Sequence, residues 1–344
     1  MASPENKSFT PLTRHTVTLA HGPTATITAC YASSAPLAEP DPAKPTLVLL
    51  NSFTTDSSLF APQFADAALR GRANLLAVDL LGHGGTRVGG GAAAGREDVA
   101  RPHWTYWDSA WMALGVLREV GVERAVVAGT SQGGWVAVRM ALLAPEMVLG
   151  VIPMGTSIDF ESPASISLGC WDGHAAAAGP IAFCTSPTPT PDFVPPDAYC
   201  DYLIDVGLGK DCAADARAFW TARIKENYAG DAGRRRMRTA AVNLAERDGL
   251  LGRVADVRCP VLWLHGDRDE VYSVRNAEEG IKAFEGSSDA RLEVVEGGYH
   301  FLSASSPAVV NKKIAEFIAK YGEPEGLPVR VGTPDVAERV AAGV

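Results

Sequence analysis

The chain has 344 residues, 47% of them hydrophobic and 21% charged, and its 31 basic and 40 acidic side chains give a net charge of −9. This composition suits one large α/β domain with an insertion, or two domains of ordinary size, and excludes a disordered or fibrous chain. The acidic balance leaves no electrostatic footprint for nucleic acid or anionic lipid, no apolar run nears the ~20 residues of a membrane span, and the polar residues 1–10 do not resemble a secretory signal.

In chain order, alternating residues at 16–19 and 25–29 predict an antiparallel edge hairpin. The apolar run 46–50 (TLVLL) predicts a strand buried on both faces, followed by helical spacing over 59–69 and a second such strand at 74–79 (NLLAVD). The Gly/Ala-rich stretch 88–95 reads as a surface loop, since it lacks the spacing and lysine of a nucleotide-binding loop. Helical spacing at 106–120 and 133–144 alternates with strands at 124–128 (RAVVA) and 148–152 (VLGVI).

From 158 to 250 the rhythm breaks: the Pro-rich PTPTPDFVPP alternates with helical segments rich in Trp and Tyr, which predicts an inserted cap. Strands at 260–264 (PVLWL) and 291–295 (RLEVV), also expected to be buried on both faces, and helices at 277–284 and 309–319 then resume the pattern. The alternation predicts an α/β fold, a mostly parallel sheet flanked by helices. Its core would comprise 1–157 and 251–322, with a mainly helical insertion at 158–250 and a C-terminal extension at 323–344.

The six cysteines include no C-x-x-C pair, which argues against a zinc ribbon or a redox dithiol. Cys170, Cys184, Cys200 and Cys212 cluster, and with no secretory signal they read as thiols of a cytoplasmic protein. The run Arg234, Arg235, Arg236 reads as a solvated helix face.

Gly129-Thr130-Ser131-Gln132-Gly133 follows a strand and opens a helix, the strand, sharp turn, helix context of a nucleophile elbow. A serine hydroxyl is a poor nucleophile at neutral pH, so it needs a general base, and the base needs an orienting acceptor. After the strand 260–264 comes His265-Gly266-Asp267-Arg268-Asp269, and after 291–295 comes Gly297-Gly298-Tyr299-His300-Phe301. Both lie where open α/β sheets place their chemistry, at strand C-terminal ends. His300 is the expected base; His83 and His265 read as turn-capping residues, and His15, His21, His103 and His174 as surface or loop residues.

With these motifs the chain resembles the α/β-hydrolase superfamily from about residue 45 to about residue 320: Asp79-Leu80-Leu81-Gly82-His83-Gly84 looks like its D-x-x-G-H-G turn, and His265 to Asp269 like its acid-bearing H-G-x-x-D turn. The resemblance favours Asp269 as the acid over Asp267, with Asp159 as a third choice, and implies oxyanion donors at the backbone of Gln132 and Phe53. Where that family usually carries His-Gly before the second donor, this chain has Asn51-Ser52. That pair, with Thr55-Asp56 and Pro62-Gln63, is similar to the 3-oxoadipate enol-lactonase branch.

The resemblance implies a serine hydrolase of a carboxylic ester, lactone or thioester, acting on a small molecule as a monomer or homodimer, with no metal or organic cofactor. The alternatives are a carbon–carbon hydrolase or acyltransferase with the same triad, or a ligand-binding receptor. Trp104, Trp171, Tyr199 and Trp220 are expected to line an apolar or aromatic substrate pocket, the alternative being that most of these aromatic residues simply pack the core of the insertion.

Overall fold

A computed structural model describes residues 12–21, 25–34, 41–89 and 104–322. The extension 323–344, residues 1–10, most of the 88–95 loop and His103 lie outside them. Nine strands form one sheet among the described residues. They are β1 (Arg14–His21), β2 (Ala25–Ser33), β3 (Thr46–Leu50), β4 (Asn74–Val78), β5 (Arg87–Gly89), β6 (Ala125–Thr130), β7 (Val148–Met154), β8 (Val261–Gly266) and β9 (Ala290–Val295). The order is β1-β2-β4-β3-β6-β7-β8-β9, with β5 paired to β2; β3, β4 and β6 to β9 run parallel, and β1, β2 and β5 antiparallel.

Period-two alternation sorts the apolar residues of the central strands onto two faces. Val48, Leu50, Ala125 and Val127 join the cluster under α3 (Tyr106–Glu119) and α4 (Gln132–Leu143), whereas Leu47, Leu49, Val126 and Ala128 join the one under α12 (Pro307–Tyr321). The chain leaves β3 toward β4 on one side and returns to β6 on the other. Sheets with such a reversal bind ligands beyond the C-terminal ends of the two strands that flank it, here β3 and β6.

Three expectations are corrected. The helix over 59–69 is a 3-10 turn at Ser57–Phe60 followed by two short helices, α1 (Ala61–Ala65) and α2 (Ala67–Arg72), because Asp66 leaves helical geometry and caps the Leu69 N–H. Within 88–95, Val88 and Gly89 belong to the strand β5. The strand β9 is not buried on both faces: it is an edge strand, half-exposed along most of its length, and Val294 faces solvent.

Between β7 and β8 five helices are inserted: α5 (Pro163–Ser167), α6 (Gly173–Cys184), α7 (Asp197–Leu208), α8 (Ala214–Tyr228) and α9 (Gly230–Ala245). The last four of them share a small core of Cys184, Cys200, Ile224, Tyr228 and Met237. The remaining helices are α10 (Val274–Gly280), where 277–284 was expected, and α11 (Leu302–Ser305). All six cysteines are free. Among the described residues no helix is long and apolar enough to cross a membrane.

Candidate active site

Ser131 stands between β6 and α4 with φ 55° and ψ −118°, a conformation that a non-glycine residue holds only when its surroundings enforce it. The enforcement is visible: Ser131 N donates to Met154 O of β7 at 2.8 Å, and its own carbonyl accepts from Gly134 N and from Thr156 Oγ1, each at 2.9 Å. The flanking glycines are required by close approach. A Cβ on Gly129 would lie 2.1 Å from the Gly133 carbonyl, and one on Gly133 would lie 2.1 Å from Leu50 O.

His300 Nε2 lies 2.9 Å from Ser131 Oγ, and its Nδ1 lies 3.1 and 3.0 Å from the two oxygens of Asp269. The Asp269 side chain is fully buried, and its Oδ1 accepts the N–H groups of Val271 at 2.8 Å and Tyr272 at 3.0 Å. Burial pushes the Asp269 carboxyl up, but His300, His265 and the Tyr272 N–H outweigh it and hold the group below the usual carboxylate range. Asp267 faces outward and accepts the Gly297 N–H at 2.7 Å, so the turn brings Asp269 and not Asp267 to the histidine. Asp159 accepts from Ser162 at the entry to the insertion. His265 is buried, its Nε2 is bonded to the Tyr272 carbonyl at 2.7 Å, and it props the same turn.

The loop after β3 shows how Asn51-Ser52 serves in place of His-Gly. The buried Asn51 side chain donates from Nδ2 to the carbonyls of Ser52 and Thr55 and accepts the Leu80 N–H at Oδ1, each at 2.9 Å. One amide thereby closes the loop on itself and ties it to the Asp79–Gly84 turn. Thr54 then takes a left-handed φ of 61°. Among the described residues neither the Phe53 nor the Gln132 backbone N–H has an intramolecular acceptor. Gln132 is the first residue of α4, where helix N–H groups are free to meet an anion.

A side-chain relay steadies that helix end: Tyr106 OH is 3.5 Å from Gln132 Oε1, Gln132 Nε2 is 3.1 Å from His83 Nε2, and His83 Nδ1 is 2.8 Å from Leu81 O. Burial pushes the His83 imidazole down to about 4, so it is neutral and accepts from Gln132 while donating to Leu81.

The four aromatic residues expected around the substrate separate. Trp171 lies with Phe53, Ala240, Ala241 and Leu244 on one side and with Val271 and Tyr272 on the other, and its indole N–H is buried without a partner. Trp104 covers Gly82, where an added Cβ would come within 2.3 Å of its ring. Tyr199 packs with Phe183 in the insertion's own core, and Trp220 is buried among Ile204, Leu208 and Phe301, so both do packing work. The arginine run is also corrected: Arg234 is buried and donates to Cys184 O and Asp231, because α9 turns that side toward α6.

Sequence reading missed Asn51 as the loop's clasp and missed Tyr272. The Tyr272 ring sits 5.8 Å from that of His300, and its hydroxyl accepts from Arg247 at 3.1 Å, within a buried Arg247–Glu161 pair. Their roles are completed by residues distant in sequence, Leu80 for Asn51 and Arg247 with Glu161 for Tyr272.

The alpha/beta hydrolase fold family model matches residues 45–307. Among solved structures the chain is similar to a thermophilic esterase from Thermogutta terrifontis, at 18% identity over 90% of this chain and 100% of that one, with a TM-score of 0.69. It is likewise similar to a hydrolase from Pseudomonas aeruginosa (20% identity, 88% and 98% covered, TM-score 0.65) and to the enol-lactonase from Burkholderia xenovorans (18%, 85% and 97%, 0.63). No curated protein matches the chain. At such identities the structural likeness shows the fold. With the family model spanning far more than half of its length, the chain belongs to the alpha/beta hydrolase fold family.

Proposed function

We propose that the chain is a serine hydrolase that cleaves a carboxylic ester, lactone or thioester through an acyl-enzyme on Ser131. The observation that carries the reading is the unbroken line from Ser131 Oγ through His300 to the buried Asp269 carboxylate, with contacts of 2.9 and 3.0 Å. In this reading Ser131 Oγ attacks the carbonyl carbon while His300 Nε2 takes its proton, and Asp269 stabilises the imidazolium. The N–H groups of Phe53 and Gln132 receive the oxyanion. His300 returns the proton to the leaving alcohol or thiol, then activates a water that attacks the acyl carbon and frees Ser131.

Phe53, Trp171 and Leu244 share one apolar cluster beside the loop that bears the Phe53 N–H, which supports a substrate with an apolar or aromatic part. The insertion 158–250 is proposed as the cap that shapes this pocket. Six free thiols are consistent with a cytoplasmic location.

The test is a panel of p-nitrophenyl esters, thioesters and aromatic lactones run with the wild type and Ser131→Ala. Hydrolysis that falls by at least about 10⁴-fold in the alanine variant is expected. A wild type inert on the whole panel, or an alanine variant that keeps its rate, would overturn the proposal.

A further inference from the structure

Three residues beyond Phe53, the Asp56 carboxylate is fully buried and joins three parts of the fold. Arg14 Nη2 of β1 reaches Asp56 Oδ2 at 2.7 Å, and Arg223 Nε and Asn227 Nδ2 of α8 donate to the same oxygen at 2.7 and 3.0 Å. Oδ1 accepts the Ser58 N–H at 2.8 Å and so caps the 3-10 turn that follows the loop. Burial pushes the Asp56 carboxyl up, but Arg14 and Arg223 outweigh it and hold the group below its ordinary value. An ionised carboxylate buried this deeply depends on its cations, and one of them comes from the insertion.

Arg223 and Asn227 are four residues apart on one face of α8. The next helix presses on the same loop from another side, since Ala240, Ala241 and Leu244 of α9 cluster with the Phe53 ring. Between these two attachments lies Thr54, a β-branched residue at φ 61°, a backbone state that persists only where neighbours impose it. The Asn51 clasp fixes the start of the loop; Asp56 fixes its end.

We propose that Arg223 and Asn227, acting through Asp56, are positioning residues that aim the Phe53 N–H at the reacting oxygen, so that the seat of the inserted helices sets the oxyanion hole. The inference rests on the serine hydrolase reading. The insertion is then part of the catalytic apparatus as well as a wall of the pocket. An ion pair that only fastened the insertion would stabilise the chain without affecting how the oxyanion is held, and the two roles separate experimentally.

The test compares wild type, Arg223→Gln, Arg223→Lys and Asn227→Ala by two readouts. The first is amide hydrogen exchange of the peptide spanning residues 51–60, which does not depend on activity. The second is the ratio of kcat/KM for a p-nitrophenyl ester to that for its thionoester, in which the carbonyl oxygen is replaced by sulfur. Sulfur is larger and a weaker acceptor, so well-aimed N–H donors favour oxygen, and a displaced donor loses the preference.

Arg223→Gln is expected to exchange faster at 51–60, to lose about 10- to 100-fold in kcat with little change in KM, and to lower the oxygen-to-sulfur ratio about tenfold. Arg223→Lys should recover most of each effect. If Arg223→Gln does not fold, Asn227→Ala carries the same comparison with a smaller expected effect. Unchanged exchange, or faster exchange with an unchanged ratio, would overturn the proposal. A wild type that turns over neither ester fails the hydrolase reading itself and takes the positioning role with it, while a change in exchange would still register the physical coupling.

Discussion

Replacing Asn51 by alanine removes a single amide that makes three contacts of 2.9 Å. The Ser52 carbonyl keeps the N–H and the hydroxyl of Thr55 as donors, at 3.2 and 2.9 Å, but the Leu80 N–H and the Thr55 carbonyl lose these bonds in a fully buried setting. At about 1–2 kcal/mol for each buried group left unpaired, the loss sums to about 2–4 kcal/mol. For a chain of this size that lowers Tm by about 3–6 °C. A functional effect of similar size in free energy should accompany the structural one. Thr54 keeps its left-handed backbone only while the loop is clasped, and its relaxation turns the Phe53 N–H away.

Loss of one oxyanion donor costs about 10²- to 10³-fold in kcat, with KM nearly unchanged because the donor meets its charge only in the transition state. Calorimetry with steady-state ester kinetics on Asn51→Ala reads both quantities. A variant that loses stability as stated yet keeps its kcat within about threefold would refute the assignment of this loop to the oxyanion hole.

Asp269→Asn should fold and lose about 10⁴-fold in kcat, whereas Asp267→Asn, altered at an exposed side chain bonded to the Gly297 N–H, should stay within a few-fold of wild type. Burial pushes His83 from 6.5 down to about 4, so between those values the unfolded chain binds more protons than the folded one, and stability is lost as the pH falls through that window. The contribution is about 3 kcal/mol. Denaturant titrations from pH 7 to 4 should show a smaller acid loss in His83→Gln, with a remainder from His265, which burial also lowers. A Cβ on Gly133 would collide with Leu50 O at 2.1 Å, so Gly133→Ala should abolish soluble active protein. Gly71→Ala in α2 meets nothing within 4 Å and should be neutral or stabilising by up to about 1 kcal/mol in thermal melts.

The elbow is legible in sequence because a five-residue pattern sits where a buried apolar run stops, and steric necessity confines small residues to that spot. His300 is legible for a similar reason, as a histidine in a Gly-rich loop at the end of the last strand. Asp267 and Asp269 share one strand end, and only the path of the turn separates them: it sends the first toward the Gly297 N–H and wraps the Val271 and Tyr272 N–H groups around the second. The fold's central strands are readable from unbroken apolar runs, but β9 sits at the sheet edge and is half-exposed, and the alternating charges of Arg291 and Glu293 within RLEVV are the sign of a wetted face that the reading as a strand buried on both sides passed over. Apolar spacing carries through Asp66, so a pattern that looks like one helix hides the cap that divides it. Thr54 is opaque for a deeper reason: threonine disfavours a left-handed backbone, and the restraints that impose it come from Asn51, α8 and α9.

The most direct measurement is mass spectrometry of the protein quenched during turnover of a p-nitrophenyl ester, followed by peptide mapping. A covalent acyl group on the peptide bearing Ser131, accumulating with a burst of p-nitrophenol and absent in Ser131→Ala, is the expected result. Turnover with no adduct on that peptide in the wild type, and undiminished in Ser131→Ala, would contradict the acyl-enzyme reaction at this site.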